Sequence, residues 1–129
     1  MKIVDINKPS SSPFSSRVGT IMCSYEKLCT IFGDPKDGLD YKSDYEWTLN
    51  MDNGDHINIY DWKIGKKYLG EESGLDKEDI NIWNIGSNNS NLFSFLTKLI
   101  NSEDWGGFEK TRMKMFMSEE LISFLAEEC

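Results

Sequence analysis

The sequence predicts an α+β domain: an antiparallel β-sheet with helices packed on one face, in the order β-α-β-β-β-α-α. Three observations carry this. Tyr45, Trp47, Leu49 and Met51 alternate with Asp44, Glu46, Thr48 and Asn50, which is a strand with one apolar face. Asp52-Asn53-Gly54 follows at once as a hairpin turn. Two further stretches carry apolar residues at helical spacing.

Residues 1–17 end in the Ser/Pro-rich "KPSSSPFSSR" and read as a flexible N-terminal lead-in. A single α+β domain is expected over 18–129, a length that supports one core. Val18 to Met22 is the first strand. Ser24 is a natural N-cap, and Tyr25, Leu28, Cys29 and Phe32 form a helical stripe that Gly33 and Pro35 terminate. The hairpin admits two registers. A two-residue Asn53-Gly54 loop pairs Leu49 with Asn58 and Trp47 with Tyr60. A three-residue loop with a left-handed Gly54 pairs Leu49 with Ile57 and Trp47 with Ile59. The second is preferred because it gathers the large apolar side chains on one face.

Residues 64–79 read as a polar connection. Ile80 to Gly86, "INIWNIG", is a strand with apolar residues on both parities. Asn89 or Ser90 should cap a helix whose core stripe is Leu92, Phe95, Leu96, Leu99 and Ile100. Phe108 to Phe116 is a basic-aromatic segment that reads as an edge strand, and Ser118 opens a last helix with Glu119 and Glu120 near its N-terminal dipole.

Composition narrows the function. The chain holds 22 acids against 14 bases, a net charge of −8, which argues against direct binding to a nucleic-acid backbone. An acidic surface suits a basic partner, or mimicry of nucleic acid. No apolar run approaches the roughly 20 residues of a membrane span. The N-terminus lacks a hydrophobic segment of secretory type, so a cytoplasmic location is expected. Cys23, Cys29 and Cys129 have no metal-ligand spacing, and His56 is the one histidine. A nucleophile-base pair, a phosphate-cradling glycine loop and a metal cluster are all missing from the pattern. The expectation is a non-enzymatic binding protein with no catalytic residues, metal or cofactor.

The stretch "HINIYDWKIGKKYLG" from His56 is apolar on both parities and runs into Lys63, Lys66 and Lys67. With Ile57 and Ile59 inward, Tyr60 and Trp62 fall on the other face, and Trp83 opposes Ile82 in parity. Such aromatics beside Lys63 or Arg112 suit base stacking and phosphate pairing, or a protein hot spot. The competing readings are burial beneath a second layer and burial in a homo-oligomer interface.

The motifs G-x-I, Y-x-x-L-x-x-x-F-G-x-P, I-Y-D-W-K and W-x-I-G, over about 19–86, resemble those of a family of small proteins of phages and large DNA viruses. In that pattern the last motif reads W-[HN]-I-G-G; Ser87 stands here in place of its final glycine, and Asn84 in place of its usual histidine. The resemblance implies a counter-defence role, similar to the Thoeris anti-defence sponges that sequester a cyclic nucleotide signal, or to acidic inhibitors of host nucleases. For a sponge it implies aromatic rings on a base and cations on phosphates, with Tyr60, Trp62, Lys63, Trp83, Asn84 and Arg112 as ligand-binding residues in the host cytoplasm.

Overall fold

In the computed structural model, residues 3–10, 14–38 and 40–101 are described. The Asn53-Gly54 turn sets the centre of the sheet. Gly54 has φ 91°, a conformation side-chain-bearing residues rarely adopt, and its N–H donates to the Met51 carbonyl at 3.1 Å. The loop is therefore three residues long. Strand β4 (Tyr45–Met51) pairs with β5 (His56–Tyr60) so that Trp47 faces Ile59 and Leu49 faces Ile57, the preferred register.

Among the described residues, four more strands join them in an antiparallel sheet. They are β1 (Ile3–Ile6), β2 (Ser16–Met22), β3 (Lys36–Asp37) and β6 (Ile82–Ser87). The order across the sheet is β1-β4-β5-β6-β2, and β3 joins the same edge of β4 as β1. Ile3–Ile6 thus belongs to the sheet and not to a lead-in. Its four residues are too short for alternation alone to distinguish them from a tail.

Helix α1 (Tyr25–Phe32) starts where expected: the Ser24 hydroxyl accepts the Lys27 N–H at 3.0 Å, and Gly33 ends it. Helix α2 (Lys66–Leu69) and a 3-10 turn at Lys77–Asp79 occupy the connection read as loop. Helix α3 (Leu92–Ile100) buries its predicted stripe. Its N-cap is Asn91, whose N–H donates to the Asn89 side-chain oxygen at 3.0 Å. None of the helices among the described residues is long and apolar enough to cross a membrane.

The sheet has two unlike faces. Trp47, Leu49, Ile57, Ile59, Trp83, Ile85 and Ile21 point to one side, beneath Leu28, Ile31 and Phe32 of α1 and the stripe of α3. Burying such side chains contributes about 1.5 to 3 kcal/mol each. The other side carries Glu46, Thr48, Asn50, His56, Asn58, Tyr60 and Asn84. The connection from β1 to β2 joins opposite edges, and both its ends lie on this polar side. The Lys8 carbonyl accepts from the Asn50 amide at 2.9 Å, and the Ser15 hydroxyl donates to the Asn58 side-chain oxygen at 3.0 Å. Glu46 and Thr48 are buried there but satisfied: Thr48 and Asn58 donate to the Glu46 carboxylate, and Lys36 pairs with it at 3.5 Å.

Candidate aromatic-lysine site

Two carboxylates build the site. After β5 the chain turns through Asp61, which is fully buried. Its carboxylate accepts the backbone N–H of Tyr45 at 2.8 Å and of Asp44 at 3.0 Å, and the Ser43 hydroxyl donates to its carbonyl at 2.8 Å. Burial pushes the Asp61 carboxyl above its ordinary range, and the two N–H donors oppose this. Asp44 does the second task. Its carboxylate accepts the N–H groups of Lys66 at 2.8 Å and Lys67 at 3.0 Å, closing the start of α2. Gly65 allows that approach, because a Cβ there would lie 2.5 Å from the Asp44 oxygen. Residues 40–45 and 61–69 are thereby fastened together.

The consequence is a cluster of rings and ammonium groups. Trp62 is 39% exposed and meets Tyr60 edge-on, with centroids 5.8 Å apart. Lys42 and Lys63 lie 5.3 and 5.9 Å from the Trp62 centroid. Lys42 also lies over Tyr41 and Lys63 over Tyr68, while Tyr41 and Tyr68 stack at 5.9 Å. The ion pairs among the described residues involve Lys36 and Lys66, and neither Lys42 nor Lys63 takes part in one. Each cation rests on ring faces, an arrangement worth about 0.5 to 1 kcal/mol at exposed sites. Lys63 has φ 62°, left-handed for a side-chain-bearing residue, and its N–H donates to the Lys42 carbonyl at 2.8 Å. That conformation costs about 1 kcal/mol and sits within the cluster.

On the other side of Tyr60 the polar face continues. Asn84 pairs with Tyr60 across β5 and β6, and Thr20 pairs with Asn84 across β6 and β2. The Asn84 side-chain oxygen accepts from Arg17 Nε at 3.3 Å and from the Thr20 hydroxyl at 3.4 Å. Arg17 reaches this face because the β2 register shifts between Arg17 and Gly19, so residues three apart share one side. Burial raises the Tyr60 hydroxyl pKa, Arg17 opposes the rise, and Glu46 adds to it.

Of the residues singled out from the sequence, Tyr60, Trp62 and Lys63 come together, and Asn84 stands beside Tyr60. Trp83 does not belong with them. It is fully buried, its indole N–H donates to the Cys23 carbonyl at 2.8 Å, and its ring meets Trp47 at 5.3 Å. The pairing of Ile59 with Ile85 decides this, since it puts the 83, 85 parity on the helix-covered side. Arg112 and the 108–116 segment lie outside the described residues, as does the last predicted helix. Sequence reasoning missed Tyr41, Lys42, Tyr68 and Arg17. Tyr41-Lys42 and Lys67-Tyr68 are ring-cation neighbours in sequence, a signal that pairs them with the Trp62-Lys63 step. No protein-family model matches the chain, and no curated protein matches its sequence.

Proposed function

We propose that this chain is a non-enzymatic binding protein that sequesters a nucleotide-type ligand, in a counter-defence role of the virus type. One observation carries the ligand class: Trp62 is exposed beside two ammonium groups that pair with no described carboxylate. An exposed ring offers a stacking face to a base, and free ammonium groups suit phosphate. Calorimetric titration with nucleoside monophosphates, cyclic dinucleotides and ADP-ribose derivatives tests the reading. At least one compound should bind, and Trp62→Ala should weaken it about tenfold, the scale of one lost base stack. Absence of heat with every compound overturns the proposal.

A second reading is an acidic protein-protein inhibitor. Tyr41, Tyr68 and Leu69 are exposed apolar groups on the two segments that form the cluster, and aromatic side chains are enriched at interface hot spots. It predicts a salt-sensitive complex with a basic protein and no small-molecule binding.

A further inference from the structure

The aromatic shelf has a cationic group on each of two sides. Lys42 and Lys63 stand over Trp62 on one side. Arg17 stands beyond Tyr60 on the other, held by Asn84 and Thr20. Tyr60 and Trp62, edge to face, lie between them. Arg17 is exposed and takes part in no ion pair among the described residues. Among the described residues the carboxylate paired with Tyr60 across the sheet is Glu46, and Lys36, Thr48 and Asn58 occupy it. The geometry is also oriented. Because the Asn84 oxygen accepts from both neighbours, its amide nitrogen points away from them as a donor. A guanidinium beside an amide N–H suits a planar or tetrahedral oxyanion, which the guanidinium can take in a two-pronged fashion.

Adjacent strands lie about 4.8 Å apart, so Thr20 is about 10 Å from Tyr60 across the sheet. Trp62 lies a further two residues along the chain. A mononucleotide with one phosphate reaches a single cationic side of such a shelf.

We infer that the ligand is of dinucleotide size, with phosphates at two separated positions: one read by Lys42 and Lys63, the other by Arg17 with Asn84, both held in place by Thr20. This rests on the nucleotide reading above and adds a ligand size and a second anion position to it. The net charge of −8 disfavours a long polyanion, so the ligand is a free small molecule and not a segment of a strand.

The test is calorimetric titration of the full chain with AMP, the linear dinucleotide pApA and an eight-residue oligoadenylate. Wild type should bind pApA at least tenfold more tightly than AMP. Arg17→Gln should weaken pApA about tenfold, the scale of a lost charge-assisted hydrogen bond, while changing AMP less than twofold. Asn84→Ala should act in the same direction, and the melting temperature of each variant confirms folding. Equal binding of AMP and pApA, unaffected by Arg17→Gln, overturns the two-position inference and leaves the nucleotide reading standing. Binding of none of the three overturns the two-position inference, and the nucleotide reading falls with it when cyclic dinucleotides and ADP-ribose derivatives are silent as well. An octamer that binds tenfold or more above pApA assigns the site to single strands and overturns the small-ligand inference.

Discussion

Trp83 and Trp62 are 21 positions apart and have opposite fates. Trp83 has no exposed surface, and its N–H is taken by the Cys23 carbonyl just before α1. Trp47 mirrors it at the other end of the helix, donating to the Gly33 carbonyl at 2.8 Å. Two core indoles thus fasten both ends of α1 to the sheet, with Tyr25 packed against each at 5.8 and 6.5 Å. Trp62 lies under ammonium groups, open to solvent. The difference teaches that aromatic content does not locate a site. What surrounds the ring does: a satisfied N–H and apolar neighbours mark structure, and unpaired cations beside an exposed ring mark where we propose that a ligand binds.

The widest gap between the two should appear in stability. Trp83→Ala is expected to cost about 3 to 5 kcal/mol, the range for emptying a large aromatic from a core. Trp62→Ala should cost less than about 1 kcal/mol, because half-exposed rings lose little on truncation. Urea denaturation of both variants measures this. Similar losses for the two would mean that Trp62 is a core residue and would remove the basis for the site.

A second experiment attacks the support under Trp62 and leaves its ring in place. Asp61→Ala strands the N–H groups of Asp44 and Tyr45, at a cost on the order of 2 kcal/mol. Asp61→Asn retains an acceptor and should lose less than half as much. Both variants should also weaken ligand binding if the carboxylate is what holds the 40–45 and 61–69 segments together. Unchanged binding in a destabilised Asp61→Ala protein would separate the cluster from its supposed scaffold.

These two comparisons show where the sequence is legible. The hairpin register was readable because the Gly54 turn and the alternation around it are local, and α1 was readable from Ser24, its stripe and Gly33. The face taken by Trp83 was not. "INIWNIG" is apolar on both parities, and only its pairing with β5 and β2 chooses between them. The same holds for Arg17, which shares a face with Thr20 because of a register shift that no residue there announces. Tyr41 and Tyr68 are 27 positions apart, and two acidic side chains acting on backbone N–H groups bring their segments together. Such contacts depend on tertiary closure, which periodicity does not encode.

A smaller effect separates the polar face from the site at its end. His56 is 2% exposed, and its Nδ1 has no hydrogen-bond partner among the described residues. Burial lowers its pKa, and Asp55 only partly opposes that. With the folded value below the unfolded one, about 6.5, His56 supports stability above that pH, and the support is lost as pH falls below it through the lower folded value. Asp61, raised by burial, has the opposite sign and acts at the carboxylate end of the scale. Wild type should therefore lose stability relative to His56→Gln between pH 7 and 5.5, read as the difference in melting temperature. A difference independent of pH would remove the histidine from this account.

The smallest change in stability should accompany a clear loss of binding, at Lys63. Its backbone is left-handed, a conformation that asparagine tolerates better than lysine. Lys63→Asn should relieve part of the roughly 1 kcal/mol of strain and leave the fold unchanged or slightly more stable. The same substitution removes one of the two cations over Trp62 and its contact with Tyr68. A ligand phosphate that pairs with Lys63 should then bind several-fold more weakly, with the deficit shrinking at high salt as screening removes the charge term from both proteins. Strain retained in the folded protein for the sake of recognition predicts this opposition. A variant that loses stability and keeps its affinity would show instead that Lys63 serves the turn, and that the rings beside it act without a phosphate partner.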